Sequence, residues 1–213
     1  DIATEAPGGS GGAGGGGAGP ARRWLRCGRF SEDPRVLALV NRCTSVPLVA
    51  LALPLGGAAE GCMFASLPLP ISTRLPVHVN ACFRLHDNRR AIWRLTPDLD
   101  GEHRLWAEWN ELLLTALVPQ VYAEALRCLA ATPGLAADGG HCAWPHGADV
   151  ERQYAAILDP LVALLAEMPV LPTLGGDLVL PSEAVFFSTP TRALQACREQ
   201  LLQLCAAAGW RVV

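Results

Sequence analysis

Lysine is absent from this chain: all 17 basic residues are arginine. A phosphate-cradling P-loop needs a lysine on the phosphates, and a pyridoxal enzyme needs one for its Schiff base, so neither can be built here. Charge is scarce as well. Only 17% of the 213 residues are charged and the net charge is -3, which gives no global attraction to nucleic acid or an anionic membrane. The eight cysteines never form a CxxC pair. Those on apolar strand or helix faces read as buried, reduced thiols in an intracellular protein, with disulfides the alternative. No basic-apolar leader precedes the first strand-like stretch, and no uninterrupted apolar run reaches the roughly 18 residues of a transmembrane helix. The start at Asp1 and the strand-like ending Trp210-Arg211-Val212-Val213 suit a piece of something larger.

What the chain does have is apolar mass: 51% of it is hydrophobic, enough to bury a sizeable core. Residues 1–21 hold the run GGSGGAGGGGAGP, which has almost no side chains to pack and reads as a flexible linker or insertion. From Trp24 to Phe30 a strand is expected, with Ser31 capping a helix that begins near Glu32 and Pro34. Val46–Leu55 is nearly all apolar, as in a strand covered on both faces. In the next strand Val77, Val79, Ala81, Phe83 and Leu85 alternate with His78, Asn80, Cys82 and Arg84. Beyond it Arg89 and Arg90 are expected beside a helix start. Leu105, Trp106, Trp109, Leu112, Leu113, Ala116 and Leu117 recur at helical spacing from Gly101 or Glu102, with Pro119 kinking or dividing the helix. Asp98, Asp100 and Glu102 suit its positive end. A further helix carries Val150, Tyr154, Ile157, Leu161 and Leu165, interrupted at Asp159-Pro160. A strand-turn unit follows, LGGDLVLPSEAVFF. A last helix runs from Thr191 to Ala208 with Leu194, Cys197, Leu201, Leu204 and Cys205 in register, and stops at Gly209. These signals predict an α/β (α+β) chain: a mixed-sheet module over 22–100, then a mostly helical section over 101–213 with a small strand unit.

Little of this points to catalysis. His141, Cys142 and His146, with Cys128 upstream, fit no zinc spacing template and read as surface loop. His78 and Cys82 share a strand face but lie about 13 Å apart along it, too far for direct proton transfer. A histidine that bonds a neighbouring loop is the expectation. The tryptophans, notably Trp93, Trp106 and Trp109, read as core anchors, since no basic groove interleaves them. Arg89 and Arg90 stand out because guanidinium groups are always charged and fork onto carboxylate or phosphate. They read either as a solvated, salt-bridged turn or as a contact for phosphate or a partner.

LPLP at Leu67–Pro70, LPVHVN at Leu75–Asn80, then Arg89, Arg90 and Trp93 together closely resemble the repeat modules of sacsin-like proteins. GEHRLWAEWNELLLTALVPQVYAEAL, with Glu108-Trp109-Asn110, looks like the family's helix, and LGGDLVLPSEAVF like a later element in which Leu178 replaces the usual aromatic. The likeness spans about residues 24–190. Arg74 and Ala81 depart from it, each standing where the family commonly has glycine. The resemblance implies the segment that follows a heat-shock-chaperone-like ATPase domain. The magnesium- and adenine-binding motifs of that domain are not recognisable here, and Asp138-Gly139-Gly140 lacks their spacing. The expected role is therefore non-catalytic, without cofactor or metal: a client- and partner-binding part of a large cytoplasmic co-chaperone in protein quality control, associated with the seventy-kilodalton heat-shock system. Its partners would be proteins and neighbouring domains, not nucleic acid or membrane. His78, Asn80, Arg89, Arg90, Trp93 and Trp109 are the motif and partner-binding candidates. Two other readings stay open. One is the transducer half of a split ATPase, lending Arg89 or Arg90 to a nucleotide held by a preceding domain. The other is an interaction domain fused to a ubiquitin ligase or kinase.

Overall fold

The computed structural model describes residues 2–5, 22–57, 59–132, 134–135, 140–186 and 198–213. The glycine run lies outside these residues. Ile2–Glu5, at the head of the stretch read as linker, nevertheless forms strand β1 against β2, Arg22–Phe30. Then come α1 (Pro34–Cys43), β3 (Leu48–Leu55), β4 (Cys62–Ala65), β5 (Leu67–Ser72) and β6 (His78–Ala81). The six strands form one mixed sheet in the order β1-β2-β3-β6-β4-β5. All pairs are antiparallel except β4 with β6, which run parallel. Two prolines, Pro68 and Pro70, are tolerable in β5 because it is an edge strand. The observed class is α/β with a mixed sheet, as the sequence predicts.

Asp33, not Ser31, caps α1. Its carboxylate accepts from the Arg35 N–H at 2.8 Å and is gripped by the Arg35 guanidinium, which holds the acid below its usual pKa. Ser31 instead accepts from the Asp33 N–H at 3.2 Å, steering the entry. Pro34 then occupies the first turn, where a missing N–H costs nothing.

Helix α2 (Gly101–Leu112), a π turn (Leu113–Leu117) and α3 (Val118–Ala131) form one long helical run. Pro119 falls in the first turn of α3. The wide turn before it supplies the geometry by which the helix accommodates a proline without breaking. Asp100 occupies the N-cap of α2, but its side chain makes no capping bond; Glu102 lies in the positive first turn. By length and hydropathy this run could cross a membrane, yet 61% of its apolar window is buried in the protein. Trp109, Leu113, Leu117, Val118, Tyr122 and Leu126 share one cluster with Leu25, Leu51, Leu53 and Val79 of the sheet. Residues from both sides of position 100 thus build one continuous core. The Tyr122 hydroxyl, fully buried, donates to the Ala143 carbonyl at 2.6 Å, and burial pushes its pKa well up.

Among the described residues the long helical run packs on one face of the sheet. Val49, Leu51 and Leu53 of β3 are buried, whereas Leu48, Ala50 and Ala52 are half-buried. The expected cover on both faces is therefore uneven: the face that α3 packs on is fully buried, whereas on the other Pro54 is buried and Leu48, Ala50 and Ala52 are half-buried. A 3-10 stretch, Arg152–Ile157, leads into α4 (Leu158–Ala166). The change of helix type comes just before Asp159-Pro160, placing Pro160 in a first turn. Strands β7 (Leu171–Pro172) and β8 (Leu178–Val179) pair, and Val212 bridges Val185 in parallel. The last described helix is α5 (Arg198–Ala207), ended by Gly209 at φ 81. Leu194 and Cys197 lie outside the described residues. In the remainder Leu201 and Cys205 are half-buried, as expected, but Leu202 is buried and Leu204 is 66% exposed, so the docking face is turned toward Leu202 from the one its spacing predicts.

Candidate functional site

The parallel contact between β4 and β6 pairs only Met63 with Val79 and Phe64 with Asn80. So short a ladder is a weak joint, and the polar side chains of the HVN motif reinforce it. His78 Nδ1 accepts from the Cys62 N–H at 3.1 Å, while its ring stacks on Trp24 and meets the edge of Phe64. Asn80 Oδ1 accepts from the Ser66 N–H at 3.1 Å. The same peptide unit is held from its other side, since Arg89 Nη2 donates to the Ala65 carbonyl at 3.4 Å. Two motif residues from different segments thus grip one peptide plane at the tip of the β4–β5 turn. Ser66 itself sits at φ 62, a left-handed conformation that such a grip helps maintain.

Arg89 and Arg90 do not begin a helix. Arg89 lies at φ 55, the Arg90 N–H bonds to Asn88 Oδ1 at 2.9 Å, and the Arg89 N–H bonds to the His86 carbonyl at 2.8 Å. These bonds make a tight return that brings Leu85 opposite Ile92. The long helix fastens that return. Asn110 is fully buried, and its Oδ1 accepts from the Arg84 N–H while its Nδ2 donates to the carbonyls of Arg84 and Trp93, all at 2.8 Å. Trp109, also fully buried, donates its Nε1–H to the Cys82 carbonyl at 2.9 Å, so it is an anchor and cannot touch a partner. Asn110 is a polar residue amid the apolar face of Trp109 and Leu113, and that incongruity is the signal by which sequence reasoning could have found it.

Trp93 donates its Nε1–H to the Leu85 carbonyl at 3.1 Å and lies between two imidazoles. His86 stacks on one side at 3.9 Å and His103 at 4.1 Å. Trp106 meets the edge of His103 and carries the Arg84 guanidinium over its ring. The half-buried Trp93 therefore keeps its ring faces occupied.

After this fastening, the corner presents Arg89, Arg90 and Leu67, the last 61% exposed. No carboxylate pairs with either arginine among the described residues. Chemically these are two exposed guanidinium groups, which can fork onto an anion, with an apolar side chain beside them. It has no arranged nucleophile or acid-base pair. Among the described residues no three His, Cys, Asp or Glu side chains stand close enough to share a metal. Cys142 is half-buried and His146 exposed, while the side chain of His141 and all of Asp138 lie outside the description.

Comparison with known proteins follows the same residues. The chain is 32% identical to Sacsin of Homo sapiens over 191 residues, an alignment covering 78% of this chain. This segment is sacsin-like. It spans about 4% of the length of that curated relative. No protein-family profile matches the chain, and no solved structure does.

The two departures of this sacsin-like segment from the repeat pattern have different physical meanings. Arg74 sits at φ 53, a conformation glycine adopts freely and arginine resists. It is held there by an ion pair from its Nε to Glu151 at 3.2 Å, and the Glu151 N–H bonds to the adjacent Thr73 carbonyl. Ala81 lies in ordinary strand geometry opposite Val49 and is 4% exposed, so its position makes no demand for glycine. The glycine that is required is Gly61. A methyl group there would drive into the carbonyl oxygens of Leu75 and Val77 and lie 2.7 Å from Thr73 Oγ1.

Proposed function

We propose that this segment is a non-catalytic, partner-binding part of a larger sacsin-like protein, working in the cytoplasm in protein quality control with the seventy-kilodalton heat-shock system. The relationship to Sacsin supports the setting. The observation that carries the binding role is the corner itself. His78, Asn80, Trp93 and Asn110 spend their polar groups fixing backbone, and what they fix holds two guanidinium groups and Leu67 outward. A preformed cationic corner costs little conformational entropy to occupy. It suits an acidic protein segment that carries an apolar side chain.

The test is association of the purified chain with a seventy-kilodalton heat-shock chaperone, measured by biolayer interferometry. Joint Arg89→Ala and Arg90→Ala replacement should weaken it about tenfold or more. Unchanged affinity in the doubly substituted chain, with an unaltered unfolding midpoint, removes the corner from the interface. The transducer reading keeps both Arg89 and Arg90, since the bond to the Ala65 carbonyl uses one of the several donors of Arg89. Supplying the preceding ATPase domain in trans and finding the same turnover with Arg89→Ala and with Arg90→Ala would reject that role.

A further inference from the structure

The C-terminal unit carries apolar surface that the core does not use. Among the described residues Leu174, Phe186, Leu204 and Trp210 are 57%, 68%, 66% and 56% exposed, a concentration of the kind that marks contact surfaces. Two of them line a cleft of about 480 Å³ between the 173–177 turn and the 209–212 stretch. A second hollow of about 370 Å³ shares Leu174 with it and extends to Glu199 and Leu202 on α5. The walls are tied together by backbone bonds. Thr173 N–H donates to the Asp177 carbonyl at 2.8 Å, and Leu174 N–H to the Val212 carbonyl at 3.0 Å. The cleft is thus preformed.

The cleft lining carries one acid, Asp177, and one base, Arg211, and the adjoining hollow adds Glu199. Arg211 is engaged by Glu183 at 2.6 Å, while the carboxylates of Asp177 and Glu199 have no ion pair among the described residues. We propose that this cleft binds an extended basic peptide segment, with a bulky apolar side chain against Trp210 and Leu174 and flanking arginine or lysine side chains toward Asp177 and Glu199. An aromatic platform beside unpaired carboxylates is complementary to that chemistry in both respects. The surface is built from elements other than those bearing Arg89 and Arg90, so it stands independently of the role proposed for that corner.

The test uses the 213-residue chain and a fluorescein-labelled ten-residue peptide alternating arginine with leucine, beside a counterpart with glutamate at each arginine. Fluorescence anisotropy should show binding of the arginine peptide only, weakening as sodium chloride is raised. Trp210→Ala should cost about thirtyfold and Trp210→Phe much less. Asp177→Asn with Glu199→Gln should cost about fivefold. Joint replacement of Arg89 and Arg90 by alanine should leave this binding unchanged. Unfolding midpoints of each variant identify any that misfold, and Trp210→Phe keeps an aromatic face at the position. Equal binding of the glutamate peptide, insensitivity to salt, no loss with Trp210→Ala, or no binding at all would overturn the assignment. So would self-association in sedimentation that Trp210→Ala abolishes, which makes the occupant a second copy.

Discussion

Removing the amide of Asn110 tests the account of the corner most directly. In Asn110→Ala, one buried N–H and two carbonyls lose their 2.8 Å partners. Each unsatisfied group costs about 1–3 kcal/mol if it stays dry. Arg84 and Trp93 are only half-buried, so water recovers part of that, and a net loss of about 3–4 kcal/mol is expected. This is a large share of the roughly 5–15 kcal/mol that holds a domain folded. Urea titration followed by tryptophan fluorescence measures it. Asn110→Asp refines the test, because it keeps the acceptor for Arg84 N–H but faces a carboxylate at two carbonyls. Burial and those oxygens raise the acid's folded pKa above its unfolded value. The penalty is therefore full at neutral pH and shrinks as pH falls through the raised pKa, when the protonated acid can donate to one carbonyl. A loss below about 1 kcal/mol for Asn110→Ala, the value of a single ordinary hydrogen bond, would refute the reasoning. An aspartate penalty that is the same at pH 7 and pH 4 would do so too.

Gly61→Ala should lower the urea midpoint by the equivalent of about 3 kcal/mol, since the obstacles are backbone oxygens that cannot step aside. The two departures should answer oppositely to glycine in thermal unfolding. Arg74→Gly trades about 1 kcal/mol of left-handed strain against a half-exposed ion pair and is expected to be neutral or stabilising. Ala81→Gly should cost about 1 kcal/mol. Burial, with Cys128 beside it, pushes the Cys27 thiol up from 9.0 to about 11. At pH 8 its alkylation should therefore be about a hundredfold slower in the folded chain than in urea, read by mass spectrometry of the Cys27 peptide. Because the folded thiol keeps its proton, stability should fall as pH rises from about 9 toward 11. The Glu124 carboxyl is lowered by its bond to Arg127, so the stability from that pair should persist at neutral pH and fade as acid protonates it. An NMR titration of the Glu124 side chain checks the direction.

The alternation at Val77, Val79, Ala81 and Phe83 was legible because each of those residues faces the core at a period of two, and all four are buried. Trp109 was legible as an anchor for the same kind of reason, its helical spacing. Less accessible was anything set by contacts between distant segments. Arg89 and Arg90 follow Asn88, yet only the pairing of Leu85 with Ile92 and the grip of Asn110 show that the chain turns back there. The docking face of α5 depends on what lies beneath it, so a periodic Leu204 could stand in solvent while Leu202 is buried. Arg74 stands where the family commonly has glycine, yet only the structure shows that the backbone there is left-handed and that Glu151 supports the arginine in it.

The π turn at Leu113–Leu117 sets how one helix meets two obligations. Upstream of it Trp109 and Asn110 reach the carbonyls of Cys82, Arg84 and Trp93; downstream Tyr122 reaches that of Ala143. Winding the same five residues in uniform α geometry would give more regular local bonding. It would also rotate one end by about 100° against the other, so that the two sets of docking partners could not be met together. The locally less regular helix is in this sense the phase adjuster of the whole core.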